Sequence, residues 1–597
     1  MMEHRMKYGA RKGTWNFLKR WAAKAMAHEL YVFPVPGSDV LRSYGLHLEK
    51  KGINIAATPR EASVLLLVGP VSEILAEKAA MAYAQIPRPR VLVFAGLDKA
   101  DPLPEPDIKL SLQAENLQEE IKKLLTQHAW RKETEPFATE KIKEAVEDKD
   151  EDHGHMHHGH EGEQDEEHGE EEEHQEHHQK QGEHEHGNAH QQNEQNKKHA
   201  SHQHNQEHTH QEHDGHEHHK KNNDGDEQDE HQQEENEDHD HEEHEHQHGG
   251  GGGHNHGGGG FMSMVAMTKD MPRSMDGLAM EMNPVHFGPF FPGFPGGLSI
   301  SMMLDGDTVM QAEIEKGLLC RNLMETFPSE PKAFVGHIAT INPLAPVAFR
   351  ILAEKAVANA LKMEDDEQKG INDLVLLEKE RILSHLNWLA VFSQTIGSPV
   401  MHLKAIDLHR QYQRGRDNEQ AILKLIKQIR KSSHLKMRLK PVGMIPKNLL
   451  HHASGSIARA GGVTHDARMQ DKTYENFSFS PLQGKHNNAW GKLLMRLAEI
   501  EQSLKLIQAN EKLSVTGHEK AIPYNESSGE GRARVETPRG VAEMTVQISA
   551  GQVKKFHLTT PSASHAAFIP EVAKGQELGD ALIGIASLDI APWEIDL

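Results

Sequence analysis

Two runs of uninterrupted apolar residues, at 63–69 and 91–96, flank an amphipathic stretch over 72–84. Strands with no polar face belong in a parallel sheet covered on both sides, so this pattern predicts a strand, helix, strand unit. A further strand is predicted over Leu30–Val35, ending at Pro36-Gly37. Amphipathic helices are predicted at 15–26, where Trp15, Leu18 and Ala22 oppose Lys19, Arg20 and Lys24, and at 117–128. The basic helix at 15–26 suits either a membrane surface or a partner subunit. In an open parallel sheet ligands sit beyond the carboxyl ends of the strands, which places a candidate crevice near Gly37, Gly69 and Gly96.

The second half of the chain carries a different period. Apolar positions recur every 3.6 residues over 343–363, 374–395, 419–432 and 488–510, the last with Trp490, Leu493, Leu497, Ile500, Leu504 and Ile507 on one stripe. In 374–395 the corresponding stripe is Leu376, Leu383, Leu386 and Ala390. Such helices pack as a bundle. Ahead of them, structure is expected to begin at the glycine- and proline-rich loop from Gly288, followed by a hairpin over 298–311 that turns at Asp305-Gly306. After them, Met544, Val546 and Ile548 alternate with polar residues, and Gln552–Thr559 returns as a partner strand across Ser549-Ala550-Gly551.

Between these halves neither period exists. Residues 151–260 contain 29 of the 46 histidines, 32 acidic residues and five lysines, with almost no aliphatic side chain. With so little to bury, the tract is expected to be a disordered tether. Its net charge is about minus 27 beside minus 24 for the whole chain, which leaves the remainder near plus three. The acidity belongs to the tether, and the charge balance implies no nucleic-acid partner. Groups such as His153, His155, His157 and His158, and His241, His244, His246 and His248, set imidazoles among carboxylates and suit weak Zn, Ni or Cu binding. Beyond the glycines, seven methionines from Met262 to Met282 form a patch read either as adaptable packing or as a Cu(I) site.

The one cysteine, Cys320, excludes disulfides and any cysteine-ligated cluster built within the chain. No stretch reaches the roughly 20 apolar residues that span a bilayer.

The words Ala57-Thr58-Pro59-Arg60-Glu61-Ala62 ahead of the first apolar run, and Gln85-Ile86-Pro87-Arg88-Pro89-Arg90 ahead of the second, resemble the small, cluster-carrying subunit shared by nickel–iron hydrogenases and respiratory complex I. In that family the loops after these strands supply the cysteines of a [4Fe–4S] cluster. Here they read Pro36-Gly37-Ser38-Asp39, Gly69-Pro70-Val71-Ser72 and Gly96-Leu97-Asp98-Lys99, without a thiol.

The second half is similar to the large subunit of nickel–iron hydrogenases and the 49 kDa-type subunit of complex I. The resemblance rests on Gly288-Pro289, on Gly317 to Arg321, on the words from Leu377 to Leu386, on Ala458 to Val463, on Asp466-Ala467-Arg468, on Glu536-Thr537-Pro538-Arg539-Gly540 and on Ser587-Leu588-Asp589. It implies a flavodoxin-like α/β domain over 1–130 and a mainly α (α+β) hydrogenase-large-subunit-like domain over 261–597, joined by a disordered histidine-rich linker over 131–260. Aligned by their neighbours, the nickel–iron ligand positions hold Ile338, Ile341, Ala591 and Glu594, and the quinone loop holds Phe291 and Pro295 in place of a hydrogen-bonding side chain. The resemblance therefore implies no iron–sulfur or nickel–iron cofactor, and it leaves catalysis by this chain alone unsupported.

Glu380, Arg381, Glu536 and Arg539 are candidate coupling residues or structural ion pairs, and His451-His452 and His465-Asp466 are candidate metal pairs. The leading expectation is a redox-silent peripheral subunit on the cytoplasmic face of the inner (cell) membrane, working with complex-I-like and antiporter-like integral membrane subunits. The alternatives are an electron-transfer subunit with cofactors in neighbouring chains, and a histidine-rich metal-binding or metal-responsive protein.

Overall fold

The computed structural model describes residues 30–48, 53–88, 90–111, 282–323, 325–364, 366–416, 418–477, 479–510 and 527–595. All of them fall in one compact unit of the chain. The expected helices at 15–26 and 117–128, the tether with its histidines, and the methionine patch up to Met280 lie outside the described residues.

The two apolar runs form the centre of a five-stranded parallel sheet. Its strands are β1 (Leu30–Val35), β2 (Ile53–Ile55), β3 (Val64–Val68), β4 (Val91–Ala95) and β5 (Ile108–Leu110), in the order β2-β1-β3-β4-β5. That order is found in doubly wound sheets. Every residue of β3 and β4 is buried, as strands covered on both faces require. Val35, Leu65, Leu67 and Phe94 face one side, against helix α2 (Glu73–Gln85); Val32, Leu66, Val68 and Val93 face the other, against Leu41 of helix α1 (Ser38–Ser43) and Leu46 and Leu48. Ser72 caps α2 by accepting the Leu75 amide. β2 and β5 have three residues each, too few for an alternation to show in the sequence.

The second half of the chain packs on the carboxyl edge of this sheet at Gly37, leaving there only a narrow crevice lined by Pro36, Gly37 and Asp39. A Cβ on Gly37 would lie 2.7 Å from the Gly296 Cα, so only glycine fits on either side of that contact. The Gly296 amide donates to both Asp39 oxygens at 3.1 and 3.2 Å, and the Ser72 hydroxyl donates to the Leu318 carbonyl. Leu319 and Trp593 complete the apolar core on the α2 face.

The second half begins upstream of the expected start, because β6 (Asn283–Phe287) precedes Gly288 and pairs with β7 (Ile300–Asp305), which pairs in turn with β8 (Thr308–Ile314). β6 is largely exposed and has no apolar alternation to announce it. The predicted β7–β8 hairpin turns at Gly306, in the left-handed region at φ 56.

Helices α3 (Pro331–Ala339) and α4 (Pro346–Ala360) pack on a second antiparallel sheet of β9 (Gly529–Glu536), β10 (Val541–Ser549) and β11 (Gln552–Thr559). β9 is invisible to pattern because glycines interrupt it. Gly531 is there to let α4 approach, since a Cβ would lie 2.1 Å from the Ala356 carbonyl oxygen. The largest core gathers residues of helices α5 (Glu367–Thr395), α6 (Pro399–Gln413), α7 (Glu419–Lys431) and α8 (Ser433–Leu439), then, past the short α9 (Gly455–Ala460) and α10 (Lys472–Glu475), of α11 (Ala489–Asn510). The short helices α12 (Pro561–His565), α13 (Ile569–Ala573) and α14 (Leu578–Ala586) close the chain.

One stripe needs correcting. Leu376 is 45 % exposed, while Glu378, Arg381 and His385 are fully buried. The inward face of α5 is therefore charged over two of its turns.

Candidate functional site

The charges buried by α5 meet those of α11. Glu378, Arg381 and His385 recur at helical spacing on α5, as do Lys492, Arg496, Glu499 and Ser503 on α11, and every one of these side chains is inaccessible to water or nearly so. Buried ions persist only when paired and hydrogen-bonded. Here the pairing is dense.

Arg459 of α9 lies at the centre, 2.7 Å from Glu536, 2.8 Å from Glu499 and 2.9 Å from Asp466. Burial opposes its charge, but these three carboxylates outweigh burial and raise its pKa. Glu499 also accepts from Ser456 at 2.9 Å and contacts His385 Nε2 at 2.9 Å; although burial opposes its ionisation, Arg459 and His385 hold its pKa well below the usual carboxylate range. Arg468 pairs with Asp466 at 2.8 Å and reaches Glu378 at 3.3 Å. Glu378 accepts from Tyr474 at 2.7 Å, from Ser503 and from Arg381. Burial would push its pKa up, yet Arg381 and Arg468 bring it down to about 2.

The backbone is shaped to admit these contacts. Arg381 spends its two terminal nitrogens on the carbonyls of Thr537 and Glu536, at 2.9 and 2.7 Å, which fixes the β9–β10 turn against α5. Gly455 starts α9 at φ +64, where a Cβ would lie 2.4 Å from the Arg539 carbonyl oxygen. Asp589 is held in left-handed backbone at φ 57, an uncommon conformation for a residue with a side chain. Its carboxylate lies 3.2 Å from Arg539 and 3.6 Å from Arg496, whose guanidinium stacks 4.2 Å from the Trp388 ring centre.

Two carboxyls at the edge of the network behave differently. Glu380 accepts the Val347 and Ala348 amides at the start of α4, at 2.7 and 2.9 Å. Burial dominates over those amides and over Arg381 and Arg539, and pushes its pKa up to about 7. Glu594 accepts from Asn342 at 2.7 Å and from the Ser562 amide at 3.1 Å, and burial raises its pKa as well.

The candidate residues fall as follows. Ile338 lies in the last turn of α3, Ile341 follows in the loop, and Ala591 and Glu594 lie in the last described turn; all four are fully buried, and the Asn342–Glu594 bond joins their two segments. Arg321 holds the first segment through the carbonyls of Thr340 and Ile341 while lying 5.2 Å from the Trp593 ring centre. Two isoleucines and an alanine offer a metal no donor, and the Glu594 carboxylate is taken by Asn342 and Ser562. A nickel–iron centre does not fit this residue set.

Phe291 and Pro295 lie in the loop that covers the sheet edge. Phe291 makes edge contacts with Phe287 and Phe294, and with Asp39 and Gln394 it lines a narrow crevice. The interface continues through Arg42, which donates to Asn387 at 2.8 Å, and Asn387, which donates to the Asp39 carbonyl at 3.1 Å.

Among the coupling candidates, Glu380 and Arg381 take the parts just described, but Glu536 and Arg539 do not pair with each other: Glu536 pairs with Arg459 and Arg539 with Asp589. The His465-Asp466 pair is corrected too, because Asp466 is committed to Arg459 and Arg468. The rings of His451 and His452 are tilted with centres 3.8 Å apart, and among the described residues no group of three or more potential ligands gathers to hold a metal. Sequence reasoning missed Lys492, Arg496, Glu499 and His385 as site residues. The charged positions repeating at helical spacing on α5 and α11 were the signal.

Residues 412–524 match the family model of the respiratory-chain NADH dehydrogenase 49 Kd subunit. The D-type subunit of the NADH-quinone oxidoreductase of Desulfotalea psychrophila is 25 % identical over 359 residues, covering 52 % of this chain and 96 % of that protein. A D-type subunit of the NADH-quinone oxidoreductase of Chloroflexus aurantiacus is 25 % identical over 393 residues, covering 52 % and 93 %. A solved structure of the membrane-bound sulfane sulfur reductase, an archaeal respiratory membrane complex, aligns over 53 % of this chain and 99 % of its own at 21 % identity and a TM-score of 0.48. The chain is complex I-like: it is similar to the 49 kDa and D-type subunits of NADH-quinone oxidoreductases.

Proposed function

We propose that this chain is a redox-silent peripheral subunit of a membrane-bound, complex-I-like, ion-translocating assembly, and that it fuses a small-subunit-like module to the large-subunit-like one. Its place is the cytoplasmic face of the membrane, and its role is assembly with, or mechanical coupling to, antiporter-like integral subunits. The observation that carries this reading is the chemistry at the junction of the two modules. The sheet edge is packed with Phe290, Leu319 and Trp593, Ile338, Ile341 and Ala591 offer only apolar side chains, and the only thiol in the chain is Cys320. Iron–sulfur and nickel–iron centres need several thiolates or equivalent ligands. The relatives named as subunits of NADH-quinone oxidoreductases support a place in a respiratory type of complex. Among the described residues no helix is long and apolar enough to cross a membrane, which suits a subunit that attaches to membrane partners.

The test is to purify the native assembly, identify its subunits, and measure iron and acid-labile sulfide in this chain after separation. Integral membrane partners together with no stoichiometric iron are expected. Stoichiometric iron and sulfide carried by this chain overturn the reading.

A further inference from the structure

We propose that the outward face of the α6–α7 helix pair is a docking surface for an anionic lipid bilayer, with Val400 and Leu403 entering the headgroup boundary and Lys404, Lys424, Lys427 and Lys431 contacting lipid phosphates. Residues 419–440 hold seven basic residues against the single acid Glu419, a net of plus six, in a chain whose remainder outside 151–260 carries only about plus three. Basic charge is therefore concentrated on this stretch. On α7, Ile422, Leu425, Ile426 and Ile429 are buried, and Lys424, Lys427 and Lys431 recur at helical spacing on the opposite side, each exposed. Among the described residues none of these three lysines has an ion-pair partner.

Helix α6 adds the apolar part. Val400 and Leu403 are 64 % and 61 % exposed, and with Lys404 they occupy one side of α6, while Met401, Ala405, Leu408 and Tyr412 pack inward. Lys404 Nζ donates to Gln428 Oε1 at 3.0 Å. Gln428 is four residues from Lys424 and three from Lys431, neighbours on the helix surface, so this bond joins the exposed sides of the two helices into one surface. The carboxylates of these helices are committed elsewhere, Asp407 to Arg410 and Gln411, and Glu419 to Gln508 of α11. Arg430 is turned to α11 as well, where it pairs with Glu501 at 2.7 Å. The surface keeps four lysine charges and no uncommitted carboxylate of α6 or α7.

Its chemistry favours lipid over protein. Protein interfaces are enriched in aromatic residues and arginine and depleted in lysine. This face has four lysines, two aliphatic side chains, and neither an arginine nor an aromatic ring. A strongly hydrated ammonium on a flexible stem suits the diffuse charge of a headgroup layer, and aliphatic side chains set among lysines are the composition of surfaces that lie at the headgroup boundary. The four positive charges complement a bilayer containing anionic lipid. The inference rests on the peripheral-subunit reading for the nearness of a membrane, but the two fail separately, because lipid binding is measured on the isolated chain and partner subunits on the native assembly.

Co-sedimentation of the purified full-length protein with phosphatidylcholine vesicles, with and without about 30 % phosphatidylglycerol, tests it. Binding to the anionic vesicles at about 0.1 M salt is expected, weakened at about 0.5 M salt and absent with neutral vesicles. Combining Lys424→Gln, Lys427→Gln and Lys431→Gln should lower the affinity about a hundredfold, and Leu403→Ser about fivefold. A matched control combining Lys332→Gln, Lys555→Gln and Lys574→Gln, all exposed and outside α6 and α7, should bind as the parent does. The proposal is overturned by no binding to anionic vesicles, by equal losses in the two triple variants, or by undiminished binding of the first, which would assign the lipid contact to the basic stretch at 15–26. Carbodiimide cross-links from Lys424, Lys427 or Lys431 to carboxyls within 151–248, in a protein that does not bind vesicles, would give the face to the tether instead and overturn it as well.

Discussion

Glu378 and Glu380 lie two residues apart on α5 and meet opposite surroundings: Glu378 is enclosed by Arg381, Arg468, Tyr474 and Ser503, and Glu380 by two backbone amides at the start of α4. Guanidinium charge keeps the first ionised. Burial favours the neutral form of the second.

The pair gives a pH signature. The pKa of Glu378 falls from an ordinary 4.5 to about 2, so its contribution to stability is present above pH 4.5 and lost as pH falls toward 2. The pKa of Glu380 rises from 4.5 to about 7, so its contribution is present below pH 4.5 and lost as pH rises through 7, a difference on the order of 3 kcal/mol. Chemical denaturation at a series of pH values should show Glu380→Gln flattening the decline between pH 4.5 and 7. A variant profile parallel to that of the parent would contradict the assignment.

Removing one member of the central ion group should cost far more than a surface pair would. Arg459→Met leaves Glu499, Glu536 and Asp466 facing one another in a dry interior, and about 3 to 5 kcal/mol of destabilisation is expected. By contrast Arg430→Met removes a pair with Glu501 at the surface and should cost about 1 kcal/mol or less. Thermal unfolding of the two variants side by side measures the ratio.

The glycine contact at the sheet edge makes a geometric prediction. Gly296→Ala forces a methyl group to about 2.6 Å from the Gly37 amide nitrogen and should loosen the sheet from the helical half. Limited proteolysis should then cleave at the 288–298 loop sooner than in the parent. Gly306→Ala, where no neighbour lies within 4 Å, strains its turn without touching that junction and should leave the cleavage pattern unchanged.

Phe327, Phe334 and Phe556 form an edge-to-face triangle with ring centres 5.0 to 5.8 Å apart, between α3 and the second antiparallel sheet. Phe334 is fully buried, and Phe334→Ala should destabilise the chain by about 3 to 5 kcal/mol in equilibrium unfolding. Phe334→Leu keeps most of the volume and should cost less than half as much.

Most of what burial of apolar residues determines was legible in the sequence. The runs ending at Val68 and Ala95 announced the parallel sheet, and Trp490 through Ile507 announced α11, because in each the pattern follows directly from what is dry. Elements shaped by another constraint were not legible. β9 carries Gly531 so that α4 can approach it, and α5 turns Glu378 and Arg381 inward because partners for them arrive from β9, α10 and α11, distant in sequence. Residues 536–540 read as a motif, but nothing local indicated that Glu536 and Arg539 would seek different partners.

Leu319 and Trp593 enter the same apolar core as α2, although more than 170 residues separate Leu110 from Asn283 along the chain. Because one polypeptide carries both sides of that core, their association is unimolecular, and its equilibrium does not respond to dilution. Cleaving the chain anywhere within 151–256 would make the association second-order. The cut protein would then dissociate at concentrations where the continuous chain stays whole.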